Sequence, residues 1–530
     1  MSQPLTTNTP DVSRPASFWS NWRWWLPPAL VALALVVYFV DPFIGDWDGL
    51  DYTMLSLTGY PSSMALGRNL FIFSNHVLFV VARNLFQLQP ENAYLLFKYV
   101  VVAQAPLAVI AVWVLARDVS GSLFTATTAA LLVVFSPVFV VYGGQVMTDV
   151  PSVLVLSLAL IVHLRGLRQG KLSWILLGAA LMGLGVNLRE TVGFYVPWLV
   201  LAPFVVGWKL ERQTVVYIVL SCGVFVLLAF GWFGYWFITD PHYRLLWDGW
   251  RESMREESAR HPVALVNLRP YLLYFFISAP LVFLTLPFAP VREWRRHRMS
   301  PMLLLWLVAF FANLLLFFNY STTINWRYFL TGLPGIVPLS AAWLLRLGER
   351  KFGSMQRALA ACTVVVVALA VIFFIYVRPI SFEFIQRRAM SKEYKHRLEL
   401  VPPDAIMISG SQTVAVHYWA AIGEGNWKTI GTGGGWPGDR LVPTIEEHLA
   451  QGRRVFIDAD PRWWIPCSWQ RDEIPLIVEL EGQFSFRHVQ DTIYEIRPAG
   501  DPQARDYPNL KRLLPENRPQ DTKKCPPGRT

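Results

Sequence analysis

Long apolar stretches recur in this chain from residue 24 to residue 377, separated by short polar loops. A bilayer core about 30 Å thick is crossed by a helix of roughly 20 apolar residues, and an apolar run of that length is typical of such a helix. Charged residues make up only 16% of the chain, against about a quarter in soluble proteins. We therefore predict an all-α polytopic membrane bundle of about eleven spanning helices. The predicted spans lie near residues 24–42, 95–116, 122–141, 150–165, 172–187, 191–208, 214–237, 269–289, 301–319, 328–346 and 358–377.

Basic residues concentrate in every second loop between these runs. Cytoplasmic loops carry the excess of Lys and Arg, so this side is predicted to be cytoplasmic, together with an N-terminal tail over 1–23 that has no cleavable leader. The net charge of +10 then reflects orientation in the membrane, and nucleic-acid binding is not expected. The basic residues are Arg14, Arg23, Arg117, Arg165, Arg168, Lys171, Lys209, Arg212, Arg292, Arg295, Arg296, Arg298, Arg346, Arg350, Lys351 and Arg357.

The chain after residue 377 has a different composition and is predicted to lie on the opposite, extracytoplasmic side. Strand-like runs at 405–409 and 454–458, with a helical pattern at 444–451 between them, predict a small α/β domain over 378–497. The Pro-rich, charged segment 498–530 is predicted to be disordered. Cys467 and Cys525 could form a disulfide in an oxidising compartment if their Cα atoms approach each other.

Three carboxylates follow the first apolar run within six residues: Asp46, Asp48 and Asp51. Acidic side chains beside a membrane are costly unless they face water or bind a partner. They could form a reactive site, or they could simply begin a solvated loop and cap the next helix.

Three further loops on the same predicted side carry charged residues. They hold Asp149 at the start of a helix, Arg189-Glu190 between two apolar runs, and Arg327-Tyr328 at the start of a late run. Each has a simpler explanation, respectively a helix cap, a local ion pair and an arginine that reaches the headgroups. Together they predict a site for a phosphate-bearing lipid, because arginines bind phosphate with two parallel hydrogen bonds and a carboxylate can act as a general base.

This set of residues resembles the GT-C glycosyltransferases. The resemblance is to the bacterial branch akin to the dolichyl-phosphate-mannose protein mannosyltransferases and the aminoarabinose transferase of lipid A. The matching motifs are Asp48 with Tyr52, the turn from Gln145 to Asp149 and Pro151, the element from Gly183-Leu184 to Arg189-Glu190, and Arg327-Tyr328.

The chain departs from the family pattern in two places. Gly49 follows Asp48 where the family has Glu, and the family's His-Pro-Pro is absent, with Gly67-Arg68-Asn69 and Asn75-His76 in that region instead. The identity of the base is therefore open among Asp48, Asp46 and Asp51.

The resemblance implies that a sugar is transferred with inversion from a polyprenyl-phosphate donor to a hydroxyl of a glycan, lipid or protein. It places the enzyme in the bacterial inner membrane. Asp48 would take the acceptor's proton, Arg189 and Arg327 would bind the phosphate, and Asp149 would orient the sugar or support Asp48. The further substrate-binding candidates are Glu190, Tyr52, Tyr328 and His76.

Two other functions fit parts of this pattern. One is a transporter or flippase of lipid-linked sugars, which the absence of an internal repeat disfavours. The other is a non-catalytic membrane subunit. No cofactor is firmly expected, and a divalent cation bound by Asp46 and Asp48 remains an alternative.

Overall fold

The computed structural model describes the chain over residues 18–40, 47–61, 68–260, 268–297, 299–319, 326–409, 413–431, 441–460, 477 and 479–508. Within these ranges, helices build the chain up to Leu398, and a five-stranded sheet lies after it. The helices before the sheet are α1 (Trp22–Tyr38), α2 (Trp47–Thr58), α3 (Asn69–Phe86), α4 (Ala93–Ser120), α5 (Leu123–Val134), α6 (Pro137–Gly143), α7 (Asp149–Gln169), α8 (Leu172–Val186), α9 (Val196–Val205), α10 (Arg212–Thr239), α11 (Pro241–Arg260), α12 (Leu268–Ser278), α13 (Pro280–Thr285), α14 (Ala289–His297), α15 (Pro301–Asn319), α16 (Leu333–Phe352) and α17 (Met355–Leu398).

Six helical segments in the described part of the chain are long and apolar enough to cross a membrane, and one bent pair would add a seventh. The predicted helical polytopic membrane fold is confirmed at this level. All the apolar runs identified in the sequence overlap helices, although several of these helices are short or broken. The six segments are Asn69–Phe86, Pro90–Ser120, Asp149–Gln169, Arg212–Thr239, Arg327–Phe352 and Met355–Ile375.

The bent pair is α5 and α6, which meet at an angle of 64°. Pro137 begins α6 directly after Ser136. Proline has no backbone N–H and disfavours a helical conformation in the residue before it, so a continuous helix through this point is interrupted. The predicted run 122–141 is therefore two helices rather than one.

Helix α3 lies in a region that the sequence analysis treats as one long loop. The residues on either side of it both contact α2: the Arg68 Nε donates to the Tyr52 Oη over 2.8 Å, and the Tyr94 side chain packs against Gly49. If α3 crossed the bilayer, residues 87–93 would have to return through about 30 Å, but seven extended residues reach only about 25 Å. Helix α3 therefore lies at one end of the bundle and does not cross the bilayer, despite its apolar composition.

The loop after α8 is fixed by close packing against α10. A Cβ added to Gly183 would lie 2.7 Å from the Phe225 carbonyl oxygen, so only glycine allows this approach. The Asn187 Nδ2 donates to the Leu228 oxygen over 2.8 Å. These contacts hold the start of the 3₁₀ helix Glu190–Tyr195 at the end of the bundle where α7 begins.

The C-terminal part forms a mixed sheet with two helices. The elements are β1 (Ile406–Ser409), α18 (Thr413–Ala421), β2 (Lys428–Gly431), α19 (Leu441–Ala450), β3 (Val455–Asp458), β4 (Phe484–Gln490) and β5 (Ile493–Pro498). The strands lie in the order β2-β1-β3-β5-β4. Strands β1, β2 and β3 are parallel, and β5 runs antiparallel to both β3 and β4. The predicted strands near 405 and 454 and the helix between them are confirmed.

The limits of this domain differ from the predicted ones. Helix α17 continues without interruption through residue 377 to Leu398, where its last turn meets the sheet. At the other end, the Asp506 N–H donates to the Phe486 carbonyl over 2.9 Å, and Ala504 is buried. The packed chain therefore extends past the predicted boundary at residue 497, at least as far as Tyr507, whose ring packs against Phe486.

Candidate functional site

Asp48 lies in the first turn of α2 and is paired with an arginine that is distant in sequence. The Arg327 Nη2 donates to the Asp48 Oδ2 over 2.6 Å. The arginine side chain is almost fully buried, whereas 28% of the aspartate side chain is exposed. The Arg327 Nη1 lies 3.3 Å from the sulfur of Met147, which is a weak acceptor. The predicted segments that carry Asp48 and Arg327 therefore meet, and the Asp48 carboxylate remains partly exposed.

A second ion pair lies beside the first and is buried completely. The Arg189 Nη1 is 2.7 Å from the Asp149 Oδ1, and both side chains are 1% exposed. Thr148, rather than Asp149, is the N-cap of α7, and no side-chain capping bond forms there. The Arg189 and Arg327 guanidiniums lie 4.5 Å and 5.7 Å from the centre of the Tyr328 ring. Both arginines therefore lie against the same aromatic ring.

A third arginine, Arg68, completes the cluster and was not among the predicted site residues. Its Nη1 donates to the Glu190 Oε2 over 2.8 Å, and its Nε donates to the Tyr52 hydroxyl. The backbone of Arg68 is held by a hydrogen bond to the Leu188 carbonyl and has a φ of +71°, a conformation that costs free energy in a non-glycine residue. Arg68 thus has a strained backbone conformation, and its guanidinium contacts Glu190 and Tyr52.

The carboxylates of α2 have opposite electrostatic environments. Burial raises the pKa of Asp48, but Arg327, Arg68 and Arg189 together hold that pKa below its usual value. Burial and the nearby charge of Asp48 raise the pKa of Asp51 to about 7, and Arg68 offsets only part of this rise. Near neutral pH, Asp48 is therefore ionised and Asp51 is close to half protonated.

The space around Gly49, which follows Asp48, is closely packed. A Cβ on Gly49 would lie 3.2 Å from the Tyr94 hydroxyl oxygen and 3.4 Å from the Val146 carbonyl oxygen. The side chain of Tyr94, at the start of α4, occupies the space that a larger residue at position 49 would need. The backbone of α2 consequently lies directly against both α4 and the turn that precedes α7.

The remaining predicted residues lie apart from this cluster or outside the described part of the chain. His76 lies on α3, where its Nδ1 is 2.8 Å from the Ser56 carbonyl oxygen and its ring covers Gly59 at the end of α2. Asp46, Cys467 and Cys525 belong to segments that the structure does not describe.

The described residues do not provide a metal site at this position. Within these ranges, no group of three or more His, Cys, Asp or Glu side chains is arranged to hold a metal ion. Asp48 and Asp149 instead face guanidinium groups, which compete with a cation for carboxylate oxygens.

Sequence comparisons place the chain close to membrane glycosyltransferases. Residues 77–236 match the profile of a family described as dolichyl-phosphate-mannose-protein mannosyltransferase. One curated relative is undecaprenyl phosphate-alpha-4-amino-4-deoxy-L-arabinose arabinosyl transferase 1 of Pseudomonas fluorescens, 27% identical over 264 residues. That alignment covers 48% of this chain and 46% of the relative, so the chain matches about half of the relative's length.

Comparison with solved structures extends the similarity to nearly the whole chain. The structure resembles ArnT from Cupriavidus metallidurans bound to undecaprenyl phosphate, with a TM-score of 0.62 and 15% identity over 90% of this chain and 98% of ArnT. The apo state of the same protein gives a TM-score of 0.61. The chain therefore has the fold of ArnT, and the resemblance to GT-C glycosyltransferases that its motifs predict is confirmed.

Proposed function

We propose that this protein transfers a sugar from a polyprenyl-phosphate donor to an acceptor hydroxyl. The observation that carries the proposal is the pair of buried arginines over Tyr328. The Nε and Nη2 of Arg189 and the Nε of Arg327 are buried and have no hydrogen-bond partner among the described residues. Buried donors without partners are costly, and a phosphate group would supply acceptors for all of them.

The same cluster supplies the other requirement of the reaction. A carboxylate that is partly exposed, Asp48, lies beside one of these arginines, where it could receive the proton of an acceptor hydroxyl. The acceptor oxygen would bond to the anomeric carbon as the bond from that carbon to the phosphate oxygen breaks. The leaving polyprenyl phosphate gains charge next to Arg189 and Arg327, which would stabilise it.

The orientation in the membrane is also part of this proposal. In the proposed arrangement about eleven segments span the bacterial inner membrane, including the short and broken helices. The ends of α4 and α7 away from the site meet in a basic cluster, where the Arg165 Nε lies 2.6 Å from Asp118 and Arg168 donates to the Asp118 carbonyl. Basic residues at that end support a cytoplasmic N-terminus, with the site and the C-terminal domain outside.

A comparison of cell-envelope glycans tests the proposal and can identify the sugar. Cells with the intact protein, without it, and with Asp48→Asn would be compared by mass spectrometry of envelope glycans, glycolipids and glycoproteins. We expect one sugar modification to be missing in both defective strains while its polyprenyl-phosphate donor accumulates. Asp404→Asn, at an exposed position of the C-terminal domain, is the matched control and should behave as the intact protein.

A second assay, with the purified protein and a polyprenyl-phosphate sugar, separates a transferase from a flippase. A transferase releases polyprenyl phosphate from the donor when purified, whereas a flippase leaves the glycolipid intact. A normal modification in cells that carry Asp48→Asn would remove Asp48 from the mechanism.

A further inference from the structure

The carboxylate proposed as the base, Asp48, already forms an ion pair with an arginine in this structure. The Asp48 Oδ2 accepts the Arg327 Nη2 over 2.6 Å, and the arginine side chain is 9% exposed. An arginine at this distance stabilises the ionised carboxylate and lowers its tendency to accept a proton. Asp48 held in this way is a weak general base, because its affinity for a proton is far below that needed near neutral pH.

The arginine that restrains Asp48 is also one that the donor's phosphate would bind. The Nε of Arg327 has no hydrogen-bond partner among the described residues, and its Nη1 meets only the thioether of Met147. A guanidinium binds a phosphate best through two parallel N–H groups. A phosphate at Arg327 would therefore compete with Asp48 for the same group.

We propose that Arg327 keeps Asp48 inactive until the donor's phosphate binds to Arg327, so that donor binding itself activates the base. This inference rests on the proposed function. Once the phosphate has engaged Arg189 and Arg327, burial and the negative charge of the phosphate both favour protonation of Asp48. The acceptor's proton then passes to Asp48 as the new glycosidic bond forms and polyprenyl phosphate departs with the bonding electrons.

The other groups around Asp48 do not substitute for Arg327. Arg68 and Arg189 act on Asp48 electrostatically, but each is paired with another carboxylate, Glu190 or Asp149. Asp51 and Tyr52 lie on the same helix, Tyr94 faces α2 from α4, and Tyr418 faces Tyr94 and Glu91 from α18. Loss of Arg327 therefore removes the single direct cationic partner that Asp48 has in the described part of the chain.

Proton uptake on binding of undecaprenyl phosphate tests this inference. The protein in lipid nanodiscs would be titrated calorimetrically near pH 5 in two buffers with different ionisation enthalpies, which gives the protons taken up per bound lipid. Asp51 titrates nearby, so the comparison uses Asp51→Asn and the double variant Asp51→Asn/Asp48→Asn. The proton uptake of Asp51→Asn should exceed that of Asp51→Asn/Asp48→Asn by nearly one proton per bound lipid, because the single carboxylate of Asp48 becomes protonated.

Two further measurements keep the outcome interpretable. Asp51→Asn/Arg327→Gln should bind undecaprenyl phosphate with as little proton uptake as Asp51→Asn/Asp48→Asn. The reason is that Asp48 then has no arginine partner to lose when the lipid binds. In the unsubstituted protein, infrared difference spectra should show a protonated carboxyl band when undecaprenyl phosphate is added. Binding without the Asp48-dependent uptake and without the band overturns the inference alone, whereas no binding of undecaprenyl phosphate overturns the proposed function.

Discussion

At the scale of single residues, the site is built from ion pairs that link distant parts of the chain. Asp48, Asp149 and Glu190 each face one arginine at 2.6–2.8 Å. A buried charge without a partner is costly, whereas an apolar pair of similar volume is tolerated. Stability and function are therefore separable at these positions, since only function requires the charges themselves.

The fully buried pair Arg189–Asp149 provides the clearest test of this separation. Asp149→Leu leaves the Arg189 guanidinium buried without its counter-ion, and we expect a loss of about 3–5 kcal/mol in stability. The double variant Asp149→Leu/Arg189→Met should recover most of the stability but no transfer activity. Thermal unfolding in detergent and donor turnover measure the two effects. A double variant as unstable as Asp149→Leu would contradict this expectation.

Asp51 predicts a dependence of stability on pH. Its pKa is raised from an ordinary value of 3.8 to about 7, so the folded protein binds a proton more tightly than the unfolded chain. Stability contributed by this group is full below about pH 4, falls as the pH rises towards 7, and stays at the lower level above it.

Asp51→Asn should therefore raise the unfolding temperature at pH 8 and change it little at pH 4. The melting temperature as a function of pH measures this, with Asp404→Asn as the control for general charge effects. Equal shifts at both pH values would show that Asp51 is not the group responsible.

The sequence predicts part of this site and misses the rest for a physical reason. Asp48, Asp149, Arg189 and Arg327 stand out because charges interrupt apolar runs, and such charges are rare without a function. Which arginine meets which acid depends on long-range folding, since Asp48 and Arg327 are 279 residues apart. Arg68 gave a weaker signal, because it lies in a polar loop where a charged residue is ordinary.

At the scale of elements, α2 is the piece on which the site depends. It is held on one side by Tyr94 and on another by α18 of the C-terminal domain. Gly49→Ala would place a Cβ 3.2 Å from the Tyr94 hydroxyl oxygen and should push α2 from Tyr94. We expect transfer to fall roughly tenfold to hundredfold because Asp48 moves. Gly49→Glu, which adds a larger side chain, should be more severe.

A compensating change tests that explanation. Tyr94→Ala makes room beside position 49, so Gly49→Ala/Tyr94→Ala should regain activity relative to Gly49→Ala. Donor turnover measures the recovery, and the unfolding temperature shows whether each variant is folded. No recovery in a folded double variant would show that Tyr94 does not set the position of Asp48.

Helix α18 of the C-terminal domain contacts α2, and it carries Tyr418. This side chain is fully buried, and burial together with Tyr94 and Glu91 raises its pKa. We expect Tyr418→Ala to loosen the domain contact and increase hydrogen exchange of residues 47–58, with reduced transfer. Tyr507→Ala, at a 51% exposed position, is the control. Unchanged exchange in Tyr418→Ala would exclude a role of α18 in holding α2.

Helix α3 shows what apolar composition alone cannot decide. Its length and hydropathy satisfy the test for a membrane span. However, Arg68 before it and Tyr94 after it both contact α2, so α3 lies at one end of the bundle. Its exposed apolar residues suit the boundary between lipid tails and headgroups. They are Phe73, Val77, Val80, Val81, Leu85 and Phe86.

At the scale of the whole molecule, the chain shares the fold of ArnT at 15% identity. Apolar helices in a bilayer tolerate exchange among apolar residues. Positions where two helices approach closely, or where a charge is buried, tolerate few substitutions. Gly183 against α10 and the arginines over Tyr328 are contacts of this constrained kind. The helical bundle was therefore predictable from composition, but the path of α2 and α3 was not.

The proposed orientation makes a prediction that also tests the placement of α3. In a protein whose four native cysteines are replaced by serine, single cysteines would be introduced at Gln89, Asp404 and Gln169, all exposed. We expect a membrane-impermeant maleimide added outside the inner membrane to label Gln89→Cys and Asp404→Cys, and to label Gln169→Cys only after permeabilisation. Residue 89 follows α3, so if α3 crossed the membrane, Gln89→Cys would be protected while Asp404→Cys was labelled. Labelling of Gln169→Cys in intact membranes would instead reverse the orientation of the whole bundle.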